Sequence, residues 1–120
     1  MISLQDSAVE TMAAEIHEYL RRRSGVSLVE LSRDIEGFSG DDVWGSTENN
    51  ILMWMGMSPT AIAAMTLLLR DEKIEGAPSN LMVYAFDGGV LDLPIAKSLT
   101  RKYAKPHWYP LAFAGNSEAA

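Results

Sequence analysis

The chain contains no cysteine. That absence removes disulfide cross-links, thiolate metal sites and a cysteine nucleophile together, and it suits a reducing compartment. Histidine is nearly as scarce. His17 and His107 are the only two, and neither stands in a motif for metal binding or nucleophilic catalysis. No glycine-rich stretch has the spacing of a phosphate-cradling loop; Gly37, Gly40 and Gly45 lie among acids, which repel phosphate. Long apolar runs are missing too, since the longest, residues 61–69, is about half of the roughly 20 residues that a membrane span needs. The first residues place Asp6 and Glu10 among apolar ones, without the positive start and unbroken apolar stretch of a signal peptide. These absences lead to the expectation of a cytoplasmic protein that is not an enzyme, spans no membrane and takes no metal or cofactor.

What is present is ordinary globular material: 120 residues, 48% hydrophobic and 22% charged, enough to bury a core as one domain. The net charge of −6 opposes non-specific attraction to nucleic acid, so the distribution of charge matters more than its sum. Residues 34–48 hold five acids (Asp34, Glu36, Asp41, Asp42, Glu48) and no base, while residues 97–105 hold four bases (Lys97, Arg101, Lys102, Lys105) and no acid. Arg21, Arg22 and Arg23 form a second basic cluster.

Ser7-x-x-Glu10 has the spacing of a capping box, and Val9, Met12, Ala13, Ile16 and Leu20 follow at helical intervals. A helix from Ser7 that stops at Ser24-Gly25 is expected. A second box, Ser27-x-x-Glu30, opens a short helix with Leu28, Leu31 and Ile35 on one face and Gly37 at its end. Residues 38–47, with two glycines and two adjacent aspartates, read as loop. Residues 48–55 turn apolar from Ile51 onward, and helix is preferred over buried strand there. Ser58-Pro59 offers an N-cap oxygen followed by a proline at the first helical position, which predicts a helix over 59–73 with Ile62, Met65, Leu68 and Leu69 inward. Gly76-Ala77-Pro78 would end it. Residues 81–86 and 90–93 flank Asp87-Gly88-Gly89, the turn composition of a β-hairpin. Residues 94–113 are basic and then aromatic, and read as a short helix followed by an extended strap.

The residues Ser27-Leu28-Val29-Glu30-Leu31, Ser58-Pro59-Thr60-Ala61-Ile62 and the run from Leu68 through Asp71-Glu72-Lys73 to Ile74 resemble the second helix, the recognition helix and the entry to the wing of the winged helix-turn-helix superfamily. The resemblance covers roughly residues 7–93 and implies a fold that is mainly α with a small β-hairpin at 81–93. It implies one domain at 1–114, with an acidic insertion at about 36–57 and a basic and aromatic extension at 94–114, before a flexible tail at 115–120.

The same resemblance implies a small DNA-binding protein, a transcriptional regulator acting as a homodimer. Ser58, Thr60 and Arg70 would then face DNA, and Lys97, Arg101, Lys102 and Lys105 would neutralise phosphates. Of the outward positions expected on the recognition helix (Thr60, Ala63, Ala64, Leu67, Arg70), Arg70 alone is of a type that reads bases, and it sits at the far end. The alternative is a protein-interaction module that does not bind DNA. Met53, Trp54, Met55 and Met57 form an apolar block suited to a dimer or partner interface.

Overall fold

Residues 6–116 are described by a computed structural model. Helix α1 (Ser7–Leu20) begins where the sequence indicates, but its cap lies one position earlier: the Asp6 carboxylate accepts from the Ala8 amide at 2.8 Å. Its apolar stripe of Val9, Met12, Ala13, Ile16 and Leu20 is buried as expected. The chain turns at Gly25, which takes a left-handed φ of 66° open to glycine at little cost. It then enters strand β1 (Val26–Ser27) and helix α2 (Leu28–Asp34). Ser27 Oγ caps α2 by accepting from the Glu30 amide at 3.1 Å, and Leu28, Leu31 and Ile35 are buried.

Between α2 and the next helix the sequence expectation fails. In place of a loop and a short helix there is an antiparallel hairpin, strands β2 (Ser39–Ser46) and β3 (Ile51–Met57). Asp41, Asp42, Gly40 and Gly45 fit an exposed strand at a sheet edge, where an irregular register tolerates residues that a central strand rejects. The seven residues of β3 are too few for periodicity to separate strand from helix.

Helix α3 (Pro59–Arg70) is capped by Ser58, whose Oγ accepts from the Ala61 amide at 3.0 Å, and it ends three residues before the expected Lys73. Glu72 makes the left-handed turn into strand β4 (Ile74–Pro78) at φ 57°. The expected hairpin at 81–93 is a helix instead, α4 (Leu81–Asp87). Asp87-Gly88-Gly89 stops that helix rather than reversing a ribbon, because Gly88 adopts the left-handed conformation (φ 102°) used in helix C-caps as readily as in hairpin turns. Residues 94–106 form no helix, and strands β5 (His107–Trp108) and β6 (Leu111–Gly115) follow. The expected strap is therefore integral to the core, with Trp108 and Phe113 fully buried. Gly115, expected in the tail, closes β6, and Asn116 after it donates to Lys73 O and Glu72 O; residues 117–120 of that tail lie outside the described residues.

The strands make two antiparallel-dominated sheets. One has the order β1-β6-β4, with Phe113 at its centre paired to Val26 on one side and Gly76 on the other. The other has the order β2-β3-β5, in which β5 runs parallel to β3. The described residues thus form a mixed α/β unit of four helices and two three-stranded sheets, which corrects the expectation of a mainly α, winged-helix-like fold with one small hairpin. The aromatic residues join the two sheets and α4: Trp44 stacks on Phe113 across the two sheets at 6.2 Å, and Trp54 and Tyr84 pack around Trp108.

Candidate functional site

The residues expected to face DNA do not converge. Ser58 Oγ donates to Gly37 O at 2.7 Å while capping α3, so its hydroxyl is engaged inside the protein. Thr60 lines a shallow groove between α1 and α3 beside Glu15 and Glu36. Arg70 Nε donates to Asp71 Oδ1 at 3.0 Å on the surface. Ala63 and Ala64, expected outward, are buried, whereas Ile62 and Leu69, expected inward, are only partly so. Of the exposed residues of α3, Thr66 and Arg70 are the polar ones, and the Thr66 hydroxyl donates to Ile62 O at 2.7 Å.

Acids stand near the helix end that would read bases. The Ser58 amide donates to Phe38 O at 2.8 Å, which draws the segment carrying Glu36, Asp41 and Asp42 against the start of α3. The approach is so close that a Cβ at Gly40 would lie 2.6 Å from Ser58 Cα. A phosphate backbone entering there meets like charge.

Lys97, Arg101, Lys102 and Lys105 are exposed on a loop tied to the turn of the β2–β3 hairpin. Asn49 Nδ2 donates to Leu99 O at 3.2 Å, Asn50 Nδ2 donates to Tyr103 O at 2.9 Å, and the Tyr103 amide donates to Asn49 O at 3.1 Å. Tyr103 stacks on His107 at 3.8 Å, with the Arg101 guanidinium 5.5 Å over the Tyr103 ring. Lys102 pairs with Glu48 at 3.3 Å. Arg70 lies toward the other end of β4. It precedes Ile74, which pairs with Gly115, whereas the chain between β5 and β6 meets β4 at Pro78 and Leu111. The Arg21–Arg23 run lies at the Gly115 end as well, since a Cβ at Gly115 would touch Leu20 O and Arg21 Cα. The cations therefore make two separate groups.

The apolar block is divided too. Met57 is in the core, while Met53 and Trp54 pack against it. Met55 is 44% exposed, opposite Val43 in the hairpin register and 48% exposed itself.

The surface that sequence reasoning missed is α4. Asn80 Oδ1 caps it by accepting from the Met82 and Val83 amides at 2.9 and 3.2 Å. Its inner side is pinned by Tyr84, fully buried, whose hydroxyl donates to Leu111 O at 2.7 Å and accepts from the Leu28 amide at 3.3 Å. The Tyr84 ring meets Trp108 edge-on at 4.9 Å, and burial pushes the phenol up to about 12. At the end of the helix, Ser27 Oγ donates to Asp87 Oδ2 at 2.5 Å. The outer side has no such partners: Met82 is 64% exposed and Phe86 is 86% exposed. Asn80 as N-cap and Gly88 as left-handed stop were the available sequence signals, and the hairpin reading of Asp87-Gly88-Gly89 displaced them.

Among the described residues no group of three or more His, Asp or Glu is placed to hold a metal ion, and no helix is long and apolar enough to cross a membrane. Set against known protein families, curated proteins and solved structures, the chain matches no family model, no curated protein and no solved structure.

Proposed function

We propose that this protein is a non-enzymatic protein-interaction module, in which the connection between β4 and β6 presents α4 to another protein chain. One observation carries the reading. Six of the eight large apolar side chains exposed among the described residues fall within that connection: Leu81, Met82, Phe86, Val90, Ile95 and Leu99. Isolated apolar residues on a surface are ordinary, but a helix that turns contiguous ones outward from a rigid base is the form in which apolar grooves and helices dock. α3, by contrast, offers little for reading bases.

A second reading keeps DNA binding by a transcriptional regulator related to winged helix-turn-helix proteins. The exposed Lys97, Arg101, Lys102 and Lys105 support phosphate contact. Titration with random duplex DNA at low and moderate salt decides between the two. The interaction reading expects no saturable binding at low salt. Binding whose logarithmic salt slope is about −2.7 to −3.6, lost on replacing those four cations by alanine, would establish the second reading instead.

A further inference from the structure

We infer that the occupant of the outer face of α4 is a second copy of this chain, placed across a two-fold axis; this rests on the interaction reading above and names its partner. Leu81, Met82, Ala85 and Phe86 lie at i, i+1, i+4 and i+5, which puts them on one side of the helix, and Val90 follows just past the Gly88 stop. The opposite side is fixed by the two hydrogen bonds of the Tyr84 hydroxyl and the bond from Ser27 to Asp87. The face is therefore held in place before any partner arrives, which lowers the entropic cost of association.

Charge selects the patch. Two copies with a net charge of −6 each repel one another unless they meet through a surface free of acids. From Asn80 to Gly89 the sole charged side chain is Asp87, and it is turned inward to Ser27. The competing exposed pair, Val43 and Met55, lies on the hairpin that carries Asp41 and Asp42. Self-pairing there would crowd the acids of two molecules together, so the hairpin is excluded and α4 remains. A two-fold axis across α4 sets the helix antiparallel to its own copy, with helix dipoles opposed, Phe86 at the axis meeting Phe86 of the other molecule and Met82 facing the other's Val90.

The area fits a modest dimer. At about 200 Å² for a fully exposed large side chain, Leu81, Met82, Phe86 and Val90 supply roughly 400 Å² of apolar surface per copy. Two copies bring roughly 800 Å², the apolar centre of an interface at the lower end of the 1,200–2,000 Å² class. Dissociation in the micromolar range is expected.

Sedimentation equilibrium from roughly 1 to 300 micromolar tests this. The expected result is a shift from monomer to dimer mass with concentration, and a Phe86→Asp chain that stays monomeric with unchanged far-ultraviolet circular dichroism. Should that variant fold poorly, Met82→Lys and Phe86→Cys supply independent readings. The natural chain has no thiol, so Phe86→Cys should oxidise to a disulfide-linked dimer while Met55→Cys does not. A monomer at every concentration, or a dimer that persists in Phe86→Asp and leaves Phe86→Cys unlinked, overturns the inference. A monomer that ignores DNA removes only the second copy as partner, whereas saturable DNA binding removes the interaction reading itself.

Discussion

Helices α3 and α4 each begin at a side-chain cap and each lie against the same core, but they are held there by different means. α3 buries Ala61, Ala63, Ala64, Met65 and Leu68 around much of its circumference, packed against α1 on one side and approached by β2 near its start. Its small residues let neighbouring elements come close, and packing alone accounts for its sequence. α4 buries one residue completely, Tyr84, and relies on three polar contacts made by Tyr84 and Asp87. A helix attached by a few inner bonds leaves its outer positions under no demand from the fold. In α4 those positions nevertheless hold leucine, methionine and phenylalanine, which cost solubility in an uncovered molecule. The contrast separates the two faces of α4: the inner one holds the helix to the core, and the outer one is the surface proposed for association.

The largest effect should come from breaking the inner face. Tyr84→Ala removes a buried ring from between Trp54 and Trp108, and a loss of about 3–5 kcal/mol in urea unfolding is expected. Alkaline titration sharpens the same point. The folded Tyr84 phenol sits at about 12, above its ordinary 10.0, because burial disfavours the phenolate. The native state then keeps a proton that the unfolded chain releases. Stability should be level below pH 10 and fall by about 2–3 kcal/mol between pH 10 and 12. Tyr19 is also raised, by burial and by its hydrogen bonds to Asp34 and Glu30, so the decisive comparison is with Tyr84→Phe, in which the alkaline slope should be visibly shallower.

For α3 the corresponding break is smaller. Ser58→Ala deletes the cap to Ala61 and the bond to Gly37 O, and about 1–2 kcal/mol is expected from equilibrium unfolding.

The caps show why part of the architecture was legible and part was not. Ser27 and Ser58 perform the bonds that their spacing to Glu30 and Ala61 implies, and the α1 stripe from Val9 to Leu20 is buried in register. Such features are local, set by side chains within one turn of each other. β2 and β3 were not legible, because Asp41, Asp42 and Gly45 become strand only through pairing with residues such as Leu52 and Met57. α4 was missed because Asp87-Gly88-Gly89 suits two left-handed roles, and the choice between them is made by Tyr84 reaching Leu28 and Leu111, far away in sequence. Of the residues expected at a site, Met55 stands on an exposed apolar surface, while Met57 belongs to the core. The separation of Arg70 from the Lys97–Lys105 loop followed from the placement of β6, which no local pattern announces.

The smallest expected effect on the isolated fold is the most telling for its use. Phe86, being 86% exposed, should contribute within about 0.5 kcal/mol to the stability of a single molecule. Its contribution to an associated state should appear only through mass action. The midpoint of thermal unfolding, followed over a hundredfold range of protein concentration, separates the two faces directly. The account predicts that the midpoint of the natural chain climbs with concentration, while that of Phe86→Ser stays level and meets the natural value at high dilution. A natural chain whose midpoint is independent of concentration, or a Phe86→Ser chain that unfolds several degrees lower even at high dilution, would contradict it.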